Sequence, residues 1–346
     1  MASLISASDI AKWRAALAVF GEMDASYLPE YHSAYAQRVD SAVPLLWQFS
    51  HDGANFVYPF LLTPVAIDGH ATSYFDITSV YGYTGPIAST QDPAFLASAW
   101  IAFDDYAAQQ NVIAEFIRFS PFNETERFAH SQTQVSTNRS LAVSRLPDTH
   151  ELLFQSLGAK TRNMLRKAER SGLQGRELKL PDHLPEFRRL YAQTMDRNGA
   201  HRFFWYDDAY WDRLLMLGTR LKLYAAIADK QMVAASMAIA HGVCGMYHLG
   251  ASLPDYARLG AGNLSLFTMS CGLLDSGVRF VNMTGGRTSA NDDSLFLFKR
   301  SNATGTADFH IGKRVLNVDA YNSLVQEWQW RHGLPPDAQK VIFWRP

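Results

Sequence analysis

The sequence predicts an α/β (α+β) chain made of two similar units, and three observations carry that expectation. At 346 residues, the chain suits two hydrophobic cores better than one. A β-hairpin pattern lies at a similar depth in each half, preceded each time by helical stretches. In the second half the hairpin gains a third strand, which leads into a glycine-rich loop and an apolar helix.

In the first half, Asp9–Val19 and Tyr27–Val39 read as helices. Leu45–Phe49 and Phe56–Leu62 flank the turn Ser50-His51-Asp52-Gly53 and read as a hairpin. Ser73–Pro86, dense in aromatic residues and glycine, reads as a long ordered loop. A helix over Pro93–Gln109 leads to a strand at Val112–Phe119. Residues 120–138 are polar and turn-rich, and Leu141–Val143 reads as a last strand.

The second half opens with helices near Glu151–Ser171, Leu184–Asn198 and Asp208–Leu217. Leu221–Ala228 and Met232–His241 form the second hairpin around Asp229-Lys230-Gln231, and Val243–Ser252 adds the third strand. A helix at Gly260–Ser276, a strand at Arg279–Met283, a glycine loop and a strand near Asp308–Ile311 follow. Val318–Arg331 closes the chain as a helix with Leu324, Val325 and Trp328 on one face. That face must dock, and the first unit, which lacks a final element, is its expected partner.

The composition is that of an ordinary globular protein, 47% hydrophobic and 19% charged. The net charge of −1 conceals an asymmetry. Residues 1–148 hold 7 basic against 15 acidic side chains, a net of −8, and residues 149–346 hold 25 against 18, a net of +7. A phosphorylated ligand is therefore expected on the second half. Cys244 and Cys271 are the only cysteines, both in apolar stretches, so neither a disulfide framework nor a metal-ligand spacing is expected. The start of the chain has no signal-peptide pattern, and no run has the apolar length of a membrane span. A cytoplasmic protein is expected.

Four groups of residues point to chemistry. Asn282-Met283-Thr284-Gly285-Gly286 is followed by Asp293 and then Phe298-Lys299. A glycine pair lets backbone approach a ligand closely, and an ammonium among phenylalanines is costly unless an anion pairs with it. The oxyanion of an acyl transfer is such an anion. Arg258-Leu259-Gly260-Ala261-Gly262-Asn263 precedes the apolar helix, where backbone N–H groups can cradle a pyrophosphate. Over the expected basic helix 160–179, Arg162, Arg166 and Arg170 share one face and could hold phosphates or remain solvated. In the first half, Asp76, Tyr81, Tyr83, Glu115 and Arg118 suit a sugar-like acceptor, although a buried Glu115–Arg118 pair is equally open. His248, Asp293 and Asp308 are the candidates for a general base.

Several stretches together resemble a known family. In the second half they are Arg162-Asn163-Met164-Leu165-Arg166-Lys167-Ala168, Leu190-Tyr191-Ala192-Gln193-Thr194-Met195, Tyr247–Ser252, Asn282–Gly286 and Asp293–Arg300. In the first half they are Tyr74–Thr78, Tyr81–Pro86 and Glu115–Phe119. The chain resembles the branch of the GNAT acyltransferase superfamily that contains the Fem peptidoglycan aminoacyltransferases and polysaccharide-cluster acetyltransferases.

The resemblance implies two tandem GNAT-like domains with mixed central sheets and a cleft between them. Residues 1–148 would be the acceptor side and 149–317 the donor and catalytic side, with 318–346 packing back on the first domain. It implies acyl-CoA (acetyl-CoA) or aminoacyl-tRNA as donor, and a small-molecule, nucleotide-linked or lipid-linked acceptor amine, with no metal and no DNA. Lys299, in the Phe298-Lys299 pair, maps onto the lysine assigned to the reaction centre of Fem-type enzymes. Two departures stand out: the phosphate loop has Ala257 where the family usually has Gln or Arg, with Arg258 displaced by one, and no long helical-arm insertion is present. A binding module without turnover is the third reading, after the two transferase readings.

Overall fold

A computed structural model describes residues 1–290 and 292–345. The chain forms two compact units. Residues 1–21, 26–138 and 309–346 make unit 1, and residues 22–25 and 139–308 make unit 2.

Unit 1 begins with β1 (Ala2–Ser6), α1 (Ile10–Ala18) and α2 (Pro29–Ala36). A meander follows: β2 (Val43–His51), β3 (Ala54–Ile67) and β4 (His70–Thr78). A short β5 (Ile87–Ala88) pairs with β3, and α3 (Pro93–Gln109) crosses over to β6 (Val112–Arg118), which lies parallel to β4. The expected loop over Ser73–Pro86 is thus strand as far as Thr78. The cause is a tight Asp68-Gly69 turn with both φ values positive (50° and 80°), which folds the chain back as a two-residue hairpin. Trp47, Phe56, Tyr58, Trp100 and Phe103 pack edge to face as the core beneath α3.

β7 (Gln134–Arg145) carries the chain into unit 2, where α4 (His150–Ser156), α5 (Ala159–Arg170), β8 (Gln174–Leu178), α6 (Leu184–Arg197) and α7 (Asp208–Leu215) follow. The basic helix therefore ends at Arg170. Gly172 takes the left-handed conformation (φ 78°) that closes a helix, so Arg176 stands on β8, off the helical face. A second meander, β9 (Leu221–Ala228), β10 (Gln231–His241) and β11 (Cys244–Ser252), leads to α8 (Ala261–Asp275). β12 (Phe280–Thr284) then lies parallel to β11, and α9 (Ser294–Ser301) follows. Leu266, Met269 and Leu273 of α8 pack on Tyr224, Ala238, Val281 and Met283 as the core of the unit.

The closing β13 (Gly305–Val315) pairs from Ile311 onward with β6, and α10 (Val318–His332) packs Ala320 and Leu324 against Val65, Ile67 and Ile113. Each unit thus repeats one plan: a strand, a three-strand meander, a crossover helix, a parallel strand and an antiparallel closing strand. The closing strands are exchanged along the chain. β7, from the first half of the sequence, pairs with β12, while β13, from the second, pairs with β6.

Candidate active site

The site is built where β12 ends in unit 2. Asn282 is fully buried, and its Oδ1 accepts the Thr284 N–H at 2.8 Å. That bond spans a slip in the β12–β7 register between Asn282 and Thr284. Thr284 is left at φ 64°, a region that a β-branched residue rarely enters. Gly285 and Gly286 are glycines for steric reasons. A Cβ on Gly285 would lie 3.0 Å from Cδ of Arg139, whose Nη1 donates to the carbonyls of Gly286 and Thr288 at 3.2 and 3.1 Å. A Cβ on Gly286 would lie 2.3 Å from Oδ1 of Asp293.

Lys299 comes to this loop from α9. It is 6% exposed, and its Nζ donates to Thr284 Oγ1 at 2.6 Å and to the Gly285 carbonyl at 2.8 Å. The face of the Tyr247 ring lies 5.1 Å away. Burial pushes the ammonium down to about 7, against a smaller upward pull from the Asp293 carboxylate. An ammonium has three N–H donors. Two are held by the loop.

The N-terminus of α8 adjoins α9. Gly260 sits at φ 85° with no side-chain cap, and a Cβ there would lie 2.6 Å from the carbonyl of Met164. The Phe298 ring lies over Gly262, and Asn263 Nδ2 donates to Asn302 Oδ1 at 3.0 Å, beside the C-terminal end of α9. Gly260, Gly262, Asn263, Phe298, Lys299, Gly285, Gly286 and Asp293 are therefore brought together, and Arg258 stands exposed just before Gly260.

The other basic candidates face elsewhere. Arg162 donates to the carbonyls of Gln155 and Leu157, capping the end of α4, and Arg166 lies over the Phe154 ring and bonds Asn163. Arg170 bonds the Arg166 carbonyl of its own helix.

The base candidates have structural partners. Asp293 accepts N–H bonds from Arg287, Thr288, Leu295 and Phe296 as the cap of α9. Burial would raise its pKa, but the N–H donors of Phe296, Thr288 and Arg287 outweigh that and hold it at about 2. His248 is the bulged residue of β11; Nε2 bonds the Tyr210 hydroxyl at 2.7 Å, and burial lowers the ring to about 3. Asp308 accepts a bond from Ser140.

In unit 1, Arg118 lies over the rings of Tyr81, Tyr83 and Phe309 at 4.8, 5.5 and 4.8 Å, and its Nε donates to the Gly82 carbonyl. Glu115 does not pair with Arg118. Three residues apart on a strand, they point to opposite faces. Glu115 is wholly buried with Tyr58 (3.2 Å) and Arg314 (3.8 Å), and burial raises its carboxyl to about 7. Asp76 is likewise buried, held by Trp344 Nε1 (2.8 Å) and Arg345 (2.5 Å), with burial lifting it to about 6.

Asn282 and Thr284 lie in a stretch that the sequence singles out, and Tyr247 opens another, but none of the three has a role of its own there; Arg139 carries no signal in the sequence.

Residues 159–293 match the acetyltransferase (GNAT) domain family. The matched segment contains α8, β12 and the loop that follows β12. The matched segment ends before Lys299. The whole chain shares its fold with solved structures. It superposes on a crystal structure of FemX with a TM-score of 0.74 over 94% of this chain and 99% of that one, at 12% identity. It also superposes on the C-terminal domain of a putative lysylphosphatidylglycerol synthetase from Agrobacterium fabrum, with a TM-score of 0.59 at 16% identity over 94% and 97%. L-PGS from Bacillus licheniformis gives 0.54 at 11% identity over 97% and 98%. At these identities the likeness is one of fold. No curated protein matches by sequence.

Proposed function

We propose that this protein transfers an acyl group from acyl-CoA to an amine in the cytoplasm. The acceptor is an amino-sugar or a related small, nucleotide-linked or lipid-linked molecule of cell-envelope or exopolysaccharide synthesis. The observation that carries the reading is Lys299, a buried amine held by the strained loop that ends β12.

The donor's phosphates lie at the uncapped N-terminus of α8 with Arg258, where backbone N–H groups and the helix dipole favour anions. The acceptor nitrogen attacks the thioester carbonyl, and the third N–H of Lys299 stabilises the oxyanion. Collapse breaks the C–S bond, and the proton lost by the nitrogen passes through water to the departing thiolate. Tyr81, Tyr83 and Arg118 contact the acceptor, and the buried Asp76 and Glu115 fix the framework beneath them.

Calorimetric titration with acetyl-CoA tests the donor. Saturable binding that Arg258→Ala weakens by about tenfold is expected, the worth of one charge-assisted contact. Absence of binding would overturn the coenzyme A reading. The second reading, aminoacyl-tRNA as donor, is favoured by the fold likeness to FemX and to a protein named for lysylphosphatidylglycerol, together with the exposed Lys160, Lys167 and Arg170. Ribonuclease-sensitive turnover would establish it.

A further inference from the structure

We propose that Asn282 is a positioning residue for Lys299, acting through the backbone of Thr284. Taking Lys299 as the reaction centre rests on the function proposed above; the link between Asn282 and Lys299 does not.

Asn282 lies between Val281 and Met283, both wholly buried, on a strand flanked on both sides, a place suited to an apolar residue. Its Nδ2 is buried and, among the described residues, has no hydrogen-bond partner. A buried amide with unmet donors is costly. The compensating feature is its Oδ1, which holds the Thr284 N–H across the register slip. Thr284 would otherwise relax out of the left-handed region. Relaxation would swing away both acceptors of Lys299, since Oγ1 of Thr284 and the carbonyl of Gly285 lie on either side of the same peptide link. The two acceptors keep a buried amine in place without placing a carboxylate in direct contact with it. The chain of contacts therefore runs from Asn282 through one strained residue to Nζ.

The test is the titration of Lys299, followed by the pH dependence of its acylation with trace acetic anhydride and read by peptide mass spectrometry. In the wild-type protein the midpoint should lie near neutrality. In N282A, with thermal unfolding retained, it should rise by about one pH unit or more as the freed amine reaches water. Adding T284N to N282A should bring the midpoint back, because asparagine tolerates φ > 0 and offers its own acceptor oxygen. An unchanged midpoint in folded N282A would overturn the proposal. So would rapid, loop-like hydrogen exchange of the wild-type Thr284 amide, a measurement that stands even if N282A does not fold. Neither readout uses a substrate. If Lys299→Ala keeps full turnover while N282A shifts the labelling, the functional reading falls and this inference stands. The converse result separates them in the other direction.

Discussion

Replacing Lys299 by methionine should make the stability of the protein less dependent on pH, and the size of that effect follows from the burial of Nζ. The ammonium titrates at about 7 in the folded protein, against 10.5 for an ordinary lysine. At about 1.4 kcal/mol per tenfold change, the burial of charge costs roughly 5 kcal/mol at pH values below 7. Between 7 and 10.5 the unfolded chain binds the extra proton, so wild-type stability rises with pH in that window. Methionine has nothing to titrate. It forgoes two hydrogen bonds, to Thr284 and Gly285, worth about 1 kcal/mol each, and leaves their acceptors unmet.

The two proteins should therefore diverge by about 2–3 kcal/mol between pH 7 and pH 9, with the wild type gaining relative to Lys299→Met. Below pH 7 the methionine variant should match or exceed the wild type in stability while having lost turnover. Urea denaturation at pH 6, 7, 8 and 9 measures this directly, because every other titrating group is shared and cancels. Parallel stability profiles would refute the reasoning, since they would mean that Lys299 titrates like a lysine in water.

Two further outcomes follow from single contacts. Gly286→Ala places a methyl against the Asp293 carboxylate that caps α9, so it should lower stability by about 1–2 kcal/mol, the worth of a lost cap, and reduce turnover; thermal melts and activity that match the wild type would refute this. Asp76, lifted to about 6, binds its proton more tightly folded than unfolded, so its contribution is fully present below pH 3.8 and lost as pH rises through 6. The stability advantage of wild type over Asp76→Asn should thus shrink by up to about 3 kcal/mol between pH 4 and 7, as measured by urea denaturation.

The parts of the fold that were legible in the sequence are those written in local alternation. Leu221–Ala228 and Met232–His241 were readable as strands because apolar residues bounded by turn residues leave few alternatives. The strand β4 was not legible because its signal, the Asp68-Gly69 turn, lies ahead of the aromatic tract over Ser73–Pro86. The exchange of β7 and β13 has no local signature; strand pairing is set by partners far along the chain. At the site, Lys299 was legible because a charge among phenylalanines is conspicuous in any sequence. Asn282 and Thr284 were not, since their role depends on a register slip. The Glu115–Arg118 pairing failed on parity, and the partners that α4 offers Arg162, its free carbonyls, are not legible in local sequence.

The duplicated plan bears on why the donor is proposed for unit 2. In both units a crossover helix leaves the third meander strand and reaches a parallel strand, so α3 and α8 are equivalent in topology. Their N-termini differ. The first N–H groups of α3 are answered by Asp92, whose carboxylate accepts from Ala94 and Phe95 at 3.4 and 3.1 Å. A negative cap spends the positive end of the helix dipole and would repel a phosphate. The start of α8 has Gly260 in place of an acid, and no side chain caps it. One helix start is capped by its own chain and the other has no side-chain cap, beside the element that carries Lys299. Of two copies of one plan, the second carries the uncapped helix start on which the proposed acyl-CoA reading rests.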